Sequence, residues 1–527
     1  MVIIAVSGLP SPLPTGRATR SAPPAASEGI VVKLSALLDG HDHHVLQGDP
    51  ATPITAGMSF DAHRVTAGSL YIAVPGHEDG GPELIGRALE LGAVAVLAEG
   101  DAPHLAGLPA AVCVVRVTDI RALAAVVASR YYGEPGRAMD VVAITGTNGK
   151  TSVSYMVEAV LRIAEGVKVG VIGTSGSRIG DESIPMPRSV LTTPEAPDLQ
   201  YLLGHMRDRR TPSVVLEATS MGLLQRRVEG VFIDVGVFTN LTQDHLDDHG
   251  TMEHYKNAKM RLFQGLCRRA VVNADDPVSA EIIALMPDTV TTYALDAPAD
   301  YRATDLVVDA AGSRFTLHHA GRKYPAAIPV PGRFSVANAL ATLAACHLLG
   351  HDLQGLVSAL DRMPPTPGRF ERYTTPQGSC VIVDYAHSPD SLEKVLTTIR
   401  SFAAGRVITV FGCGGDRDIT KRVAMGTIAG ELSDLCVLTS DNPRYEDPEG
   451  ILDQIAPGLV HTGIPFQRIT DRRDAIRYAL SVAGPDDVVL VAGKGSEPFQ
   501  IIGDELLPFS DMGVVRELAL EPAAAAL

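Results

Sequence analysis

The sequence carries no excess of positive charge. Lys and Arg number 45 against 61 Asp and Glu, a formal charge of −16. A general nucleic-acid binder needs a basic face, so no nucleic-acid partner is expected, although a local basic pocket for a small anion remains open. No close pair among the six cysteines, Cys113, Cys267, Cys346, Cys380, Cys413 and Cys436, has metal-ligand spacing. Most lie in apolar runs such as "AVCVV" and "AACHLL", so reduced core thiols are expected in place of a zinc site. No apolar run is long enough to span a bilayer, and no membrane partner is expected. The opening "MVIIAVSGLPSP" has no basic residue before its apolar piece and breaks at Gly8 and Pro10, unlike a secretory signal. A cytoplasmic location is the expectation. There is no internal repeat.

What the chain does have is length and alternation. Its 527 residues, 46% hydrophobic and 20% charged, suit a globular protein too large for one core, and about three domains are expected. A lead-in over 1–29, rich in Pro, Ala and Ser, is expected to be disordered. Over 30–139 the strands "GSLYIAVPG" and "AVAVLAEG" flank the helix "ELIGRALELG". "TDIRALAAVVASRYYGEP" then reads as an amphipathic helix ending near Gly133 and Pro135. Over 140–364, "DVVAITG", "VKVGVIG", "PSVVLEAT", "DVGVFTN" and "RRAVVNADD" read as buried parallel strands. Their polar or glycine-rich ends fall at a carboxyl edge, where open α/β sheets bind ligands. After the proline cluster in "DRMPPTPGRF", residues 365–527 repeat the alternation with "CVIVDYAH", "RVITVFGCGG", "DLCVLTSDNPR" and "DDVVLVAGKGS". The expected fold is α/β with three domains: a central P-loop parallel-sheet ATPase domain, an N-terminal substrate domain and a C-terminal Rossmann-like domain.

The stretch "VVAITGTNGKTS" joins a strand, a glycine-rich loop and a helix start. The usual phosphate loop is G-x-x-x-x-G-K-[ST]. Here Ile144 stands where the first glycine belongs, and Gly146 makes the turn of a shorter "GTNGKT". The chemistry survives the shortening. Backbone N–H groups across Gly146, Thr147, Asn148 and Gly149 face the phosphates of a nucleotide, Lys150 reaches the β/γ oxygens, and Thr151 can ligate Mg²⁺. The alternative is an ordinary glycine turn with a surface lysine.

"TGTNGKTS", "LEATS", "FTNLTQDHLDDHG", "YKNAK", "NADDP", "PGRFSVANALAT", "GRFE", "VDYAHSPDSL", "FGCGGDRD" and "DNPR" follow one another in order. Together they resemble the Mur ligase family, over roughly residues 50 to 515. The resemblance implies an ATP-dependent acid–amino-acid ligase of peptidoglycan precursor synthesis. In this family the γ-phosphate passes to a substrate carboxylate, an amine attacks the acyl phosphate, and an amide forms. Small-molecule substrates (ATP, a UDP-muramoyl dipeptide and diaminopimelate), two Mg²⁺ ions and a monomer are expected.

The resemblance also assigns residues. Lys150, Glu217, His245, Lys259 and Arg369 are the expected catalytic set, with Thr151, Glu217 and His245 as magnesium ligands. Asp244, Asp247 and Asp248 lie close by, or cap a helix. Lys259 matches a lysine carried as a carbamate (N6-carboxylysine); the alternative is a helix-surface lysine paired with Glu253. Asn338 is expected at adenine and ribose, with Ser335 where the family has a second asparagine. Arg369 in "GRFE" reaches the γ-phosphate, and Asp384 lies on the ribose and phosphate side. "DNPR", Asp441, Asn442 and Arg444 with the intervening proline, marks members that add diaminopimelate. Arg444 can pair with the distal carboxylate that lysine lacks; taken alone the stretch reads as a turn. Arg417 is the second arginine of that pocket, and Gly493 and Glu497 in "GKGSE" hold the far amine and carboxylate. Thr192, Thr193, Thr219, Gln225 and Arg227 match contacts to the UDP-muramoyl dipeptide. His387 in "DYAHSPD" is either the general base or a structural histidine.

Besides Ser335, four positions around the substrate depart from the pattern. Ala62 and His63 replace a serine and an arginine, and Met221 and Ser496 replace histidines. His77 remains where a uracil-side residue is expected. Because these changes gather around the substrate and leave the ATP motifs intact, a second reading stays open: a paralogous Mur-type ligase joining an amino acid to a different carboxylate. A nucleotide-binding scaffold is disfavoured by the retained Lys150, Glu217, His245 and Lys259.

Overall fold

The computed structural model describes residues 29–77, 79–100, 105, 107–184, 186 and 191–520. The expected lead-in therefore lies, apart from Gly29, outside the described residues. The chain divides into two compact units, one of Met1–Thr145, Gly166–Val237 and Ala258–Ala270, the other of Gly146–Glu165, Phe238–Asn257 and Val271–Leu527.

In the first unit, a five-stranded sheet has the order His44–Gln47, Cys113–Val117, Ala95–Glu99, Leu70–Ala73, Met58–Ser59. All pairings but the first are parallel. Apolar residues fill both faces, as parallel strands require: Leu70, Ile72, Leu97 and Val115 enter one core and Tyr71, Ala73, Val96 and Val114 another. The helix Ile120–Tyr131 begins where Asp119 accepts from Ala122 N at 3.1 Å, an N-cap that satisfies an otherwise orphaned donor. Further along, Val169–Gly173, Ser213–Glu217 and Asp140–Thr145 are neighbouring parallel strands. Ser213–Glu217 is buried throughout, and its polar terminus falls at the carboxyl edge.

In the second unit, the helix Lys150–Glu165 packs on Arg333–Leu348 and Leu353–Leu360. Val290–Ala294 leads into an antiparallel meander of Tyr301–Asp309, Gly312–His319 and Arg322–Ile328. The sequence reading did not anticipate this meander. Its second turn is the two-residue Ala320–Gly321, with φ of +48° and +75°, the left-handed pair that suits a tight hairpin. A six-stranded sheet has the order Glu371–Thr374, Cys380–Asp384, Val488–Ala492, Val407–Phe411, Leu435–Leu438, Phe466–Arg468. Every pairing after the first is parallel, and apolar cores cover both faces. The four strands expected over 365–527 are its four central strands, and the α/β fold class holds. All six cysteines are free, five of them buried. Among the described residues no helix is long and apolar enough to cross a membrane.

Candidate functional site

In the second unit the phosphate loop is held from below by polar side chains. Thr147 N and Asn148 N donate to Asn240 O and Oδ1 at 2.8 and 3.0 Å, and Thr239 Oγ donates to Asn148 O at 2.6 Å. Lys150 Nζ curls back to Gly146 O and Thr147 O, both at 2.9 Å, so its ammonium lies over the loop. Asn338 is buried against the same loop. A Cβ on Gly149 would stand 2.6 Å from Asn338 Oδ1, and Gly149 has φ of +91°, so a side chain is excluded both by space and by conformation. Ser335 is buried and donates to Pro331 O at 2.9 Å, a bond at the start of its helix.

Arg369 meets this loop directly: its Nη2 donates to Thr151 Oγ at 3.2 Å, and its guanidinium lies 4.0 Å over the Tyr385 ring. Asp384 gives its two oxygens to Phe370 N and Ala386 N, at 2.7 and 2.8 Å, and so anchors the turn that carries Arg369. Burial pushes the Asp384 carboxyl up against the pull of Arg369 and these N–H groups. Asp390, absent from the sequence reading, accepts from Asn148 Nδ2 at 2.7 Å.

The acidic loop after Asn240 brings His245, Asp247 and Asp248 within 4.8 Å of one another by their ligand atoms. His245 has φ of +54°, a strained conformation of the kind that gathers at functional sites. Asp244 is held at about 2: burial would raise it, but His387, His245 and Lys421 outweigh that. His387 donates from Nδ1 to Tyr385 O at 2.8 Å. Burial and then Lys421 push it down to about 4, so it is neutral at pH 7 and a weak proton acceptor.

Three loops of the same unit, 413–418, 441–446 and 493–497, frame a pocket of opposed charges. Arg444 Nη1 donates to Gly415 O at 2.7 Å, and Arg417 pairs with Asp247 at 3.3 Å. Burial, and then the neighbouring Arg417, pull the Arg444 guanidinium below its usual range, which is the situation a substrate anion would relieve. Asn442 donates to Glu497 Oε2 at 2.8 Å and accepts from Ile501 N at 3.0 Å. Lys494, which the sequence reading missed although it lies inside "GKGS", is fully buried and donates to Asn442 Oδ1 at 2.8 Å and Glu497 Oε2 at 3.0 Å. Asp441 is buried, and its Oδ2 has no hydrogen-bond partner among the described residues. It is an acceptor available to an ammonium group. Gly493 is buried behind it, and Ser496 is exposed.

In the first unit the expected substrate residues come together. Thr193 Oγ donates to Glu217 O at 2.7 Å, lies 2.9 Å from Thr219 Oγ, and accepts from Thr219 N at 2.9 Å. Thr192 Oγ reaches Thr174 Oγ at 3.4 Å, and Thr174 donates twice to the buried Glu217 carboxylate, at 2.9 and 3.0 Å. Arg227 donates to Thr193 O at 3.1 Å, pairs with Glu195 at 3.0 Å and bonds Gln225 Oε1. Thr174 and Glu195 were not foreseen, because neither stands in a motif with a chemical signature. Ala62 is fully buried, whereas His63 is exposed. An arginine does stand one position on: Arg64 makes two bonds to Asp198, at 2.8 and 2.6 Å. His77 sits edge-on to Phe60, and Met221 is half-buried. Lys259 is 2% exposed, so it is no surface lysine, while Glu253 pairs with Lys256 at 3.1 Å.

The donors named for magnesium can be judged by their chemistry. Thr151 and Glu217 are buried oxygen donors, and the carboxylates of Asp247 and Asp248 flank His245. Oxygen donors such as these, taken within each unit by itself, suit a hard divalent cation.

The Mur ligase middle domain matches residues 144–346, and the Mur ligase glutamate ligase domain matches residues 368–495. The chain is similar to the UDP-N-acetylmuramoyl-L-alanyl-D-glutamate–2,6-diaminopimelate ligase of Caldanaerobacter subterraneus, with 40% identity over 490 residues that cover 93% of this chain and 99% of the relative. It is similar to the ligase of the same name from Geobacillus thermodenitrificans, with 43% identity over 477 residues, 89% of this chain and 96% of the relative. A solved structure of a ligase of that name shares 32% identity and a TM-score of 0.66, over 93% of this chain and 99% of its own. The chain belongs to the Mur ligase family.

Proposed function

We propose that this protein is an ATP-dependent amide ligase that joins diaminopimelate to the glutamate carboxylate of UDP-N-acetylmuramoyl-L-alanyl-D-glutamate in peptidoglycan precursor synthesis. The observation that carries the reading is the charge pattern of the 413–418, 441–446 and 493–497 loops. Arg444 and Arg417 supply guanidinium groups, while Asp441 and Glu497 supply carboxylates. Such a pocket suits a molecule with an acid and an amine at each end, and a guanidinium can take a carboxylate with two parallel bonds. Relatives of that name, alike over nine-tenths of the chain, favour this reading over a ligase for a different carboxylate.

The reaction divides into two displacements. The substrate carboxylate attacks the γ-phosphorus of ATP, a P–O bond forms as the bond to ADP breaks, and an acyl phosphate results. The amine of diaminopimelate then attacks the acyl carbon, phosphate leaves, and the nitrogen loses a proton as the amide forms. Loop N–H groups and Lys150 hold the phosphates, and Arg369 adds a second positive charge beside Thr151, stabilising charge as it develops. Thr151, Glu217 and His245 are the candidates to hold Mg²⁺, which when bound neutralises phosphate charge. Thr192, Thr193, Thr219, Gln225 and Arg227 are assigned to the nucleotide-sugar peptide, and Asn338 to adenine. Lys259 as a carbamate would turn a buried cation into an anion. The division into 30–139, 140–364 and 365–527, action as a monomer and a cytoplasmic location belong to the same proposal.

The purified protein with ATP, the UDP-muramoyl dipeptide and diaminopimelate should yield the tripeptide, detected by mass. Sustained ADP release over many turnovers should require both acceptor and amine. Product from another carboxylate but not from this dipeptide would point to the paralogous ligase.

A further inference from the structure

Beneath the amino-acid pocket, two of its loops are tied by a charged pair that belongs to no motif described above. Arg422, near the start of the helix Lys421–Leu432, is fully buried. Its Nη1 and Nη2 donate to Glu446 Oε2 and Oε1, each at 2.8 Å. The same guanidinium donates to Gly414 O at 3.1 Å and to Gln454 Oε1 at 2.8 Å. Glu446 Oε1 in turn accepts from Asp416 N at 2.6 Å. Two bonds of this pair therefore land on the backbone of the loop that carries Arg417, and Glu446 itself stands two residues beyond Arg444.

The loops above the pair interlock. Arg444 Nη1 donates to Gly415 O at 2.7 Å, and a Cβ on Gly415 would lie 1.9 Å from Pro443 O. Asp416 and Arg444 both occupy the left-handed region, at φ of +50° and +52°. Such conformations are strained for residues with a side chain and persist where their surroundings over-determine them. With Arg422 fully buried and Glu446 only half-buried, the pair contributes little net stability, because desolvation of the guanidinium offsets the attraction, but it fixes geometry through directed bonds.

We propose that Arg422 and Glu446 are positioning residues that set Arg417 and Arg444 at the spacing needed to bind the distal carboxylate, and so make diaminopimelate the preferred amine over a diamino acid without that group. The inference rests on the ligase reading above. It places part of the selectivity beneath the pocket, on side chains that do not touch the substrate.

The test is steady-state kinetics of the full-length enzyme and its Arg422→Met, Arg422→Lys and Glu446→Gln variants, measuring KM separately for ATP, the nucleotide-sugar dipeptide and diaminopimelate. Displacing the clamp should raise KM for diaminopimelate about tenfold or more, with KM for ATP unchanged and the diaminopimelate-to-lysine preference reduced. Arg422→Lys should fall between wild type and Arg422→Met, since an ammonium keeps the charge but cannot make the two-pronged bond. Should Arg422→Met fail to fold, Glu446→Gln carries the test, because glutamine keeps the size and one acceptor. An unchanged KM for diaminopimelate, or KM values for ATP and diaminopimelate rising together, would overturn the proposal. If the wild type itself made no product from diaminopimelate, the ligase reading would fall, and the proposal with it; that control separates the two failures.

Discussion

The phosphate loop and the proposed amino-acid pocket lie in the same unit but are built by different means. The phosphate loop is contiguous: residues 146–151 present backbone N–H groups, and Asn240 and Thr239 steady them. The pocket is assembled from three loops far apart in sequence and tied by fully buried cations, Lys494 to Asn442 and Glu497, and Arg422 to the half-buried Glu446. A site made of backbone tolerates little change in chain conformation. A site made of side chains depends on charges that must be both buried and paired.

This contrast can be broken by mutation. The largest effect should follow Lys150→Ala, which removes the ammonium above the loop. We expect kcat to fall about a thousandfold in an ADP-release assay, with the protein still folded. Gly149→Ala should come next, since it forces a methyl to 2.6 Å from Asn338 Oδ1 at φ of +91°. KM for ATP should rise about tenfold, while KM for diaminopimelate stays put. If Gly149→Ala disturbed both substrates equally, the two sites would not be separable.

The smallest effect concerns pH. The bonds from Arg422 hold the Glu446 carboxyl below its usual value of 4.5. As pH falls, the unfolded chain therefore takes up this proton first. The stabilisation is fully present above about 4.5 and is lost as pH drops through the lower folded value. The fall in Tm between neutral and acid pH should be smaller in Glu446→Gln than in wild type, as read by thermal unfolding across a pH series. Equal slopes would mean that the pair does not report on folding.

The same contrast explains what could be read from the sequence. Strands such as "DVVAITG" and "DDVVLVAGKGS" were legible because burial on both faces leaves an unbroken apolar run ending in polar residues. The phosphate loop was legible because one short stretch contains all its parts. The meander over 301–328 was not: its strands alternate and face water on one side, and Ala310–Ala311 is a weak turn signal. Among site residues, Arg444 and Arg417 stood in recognisable motifs. Arg422, Glu446, Asp390 and Glu195 act through partners 24 to 242 positions away, and nothing local marks them. Lys494 sat between two glycines within a quoted motif, yet its burial depends on loops that only folding brings together.

The account turns on a guanidinium reading the distal acid of the incoming amine. The most direct measurement is a competition between diaminopimelate and lysine, with ATP and the UDP-muramoyl dipeptide present, in wild type and Arg444→Ala, with products resolved by mass. The account predicts that wild type forms the diaminopimelate product almost alone, and that Arg444→Ala loses about a hundredfold in kcat/KM for diaminopimelate with little change for lysine. Equal use of both amines by the wild type, or undiminished diaminopimelate use by Arg444→Ala, would contradict it.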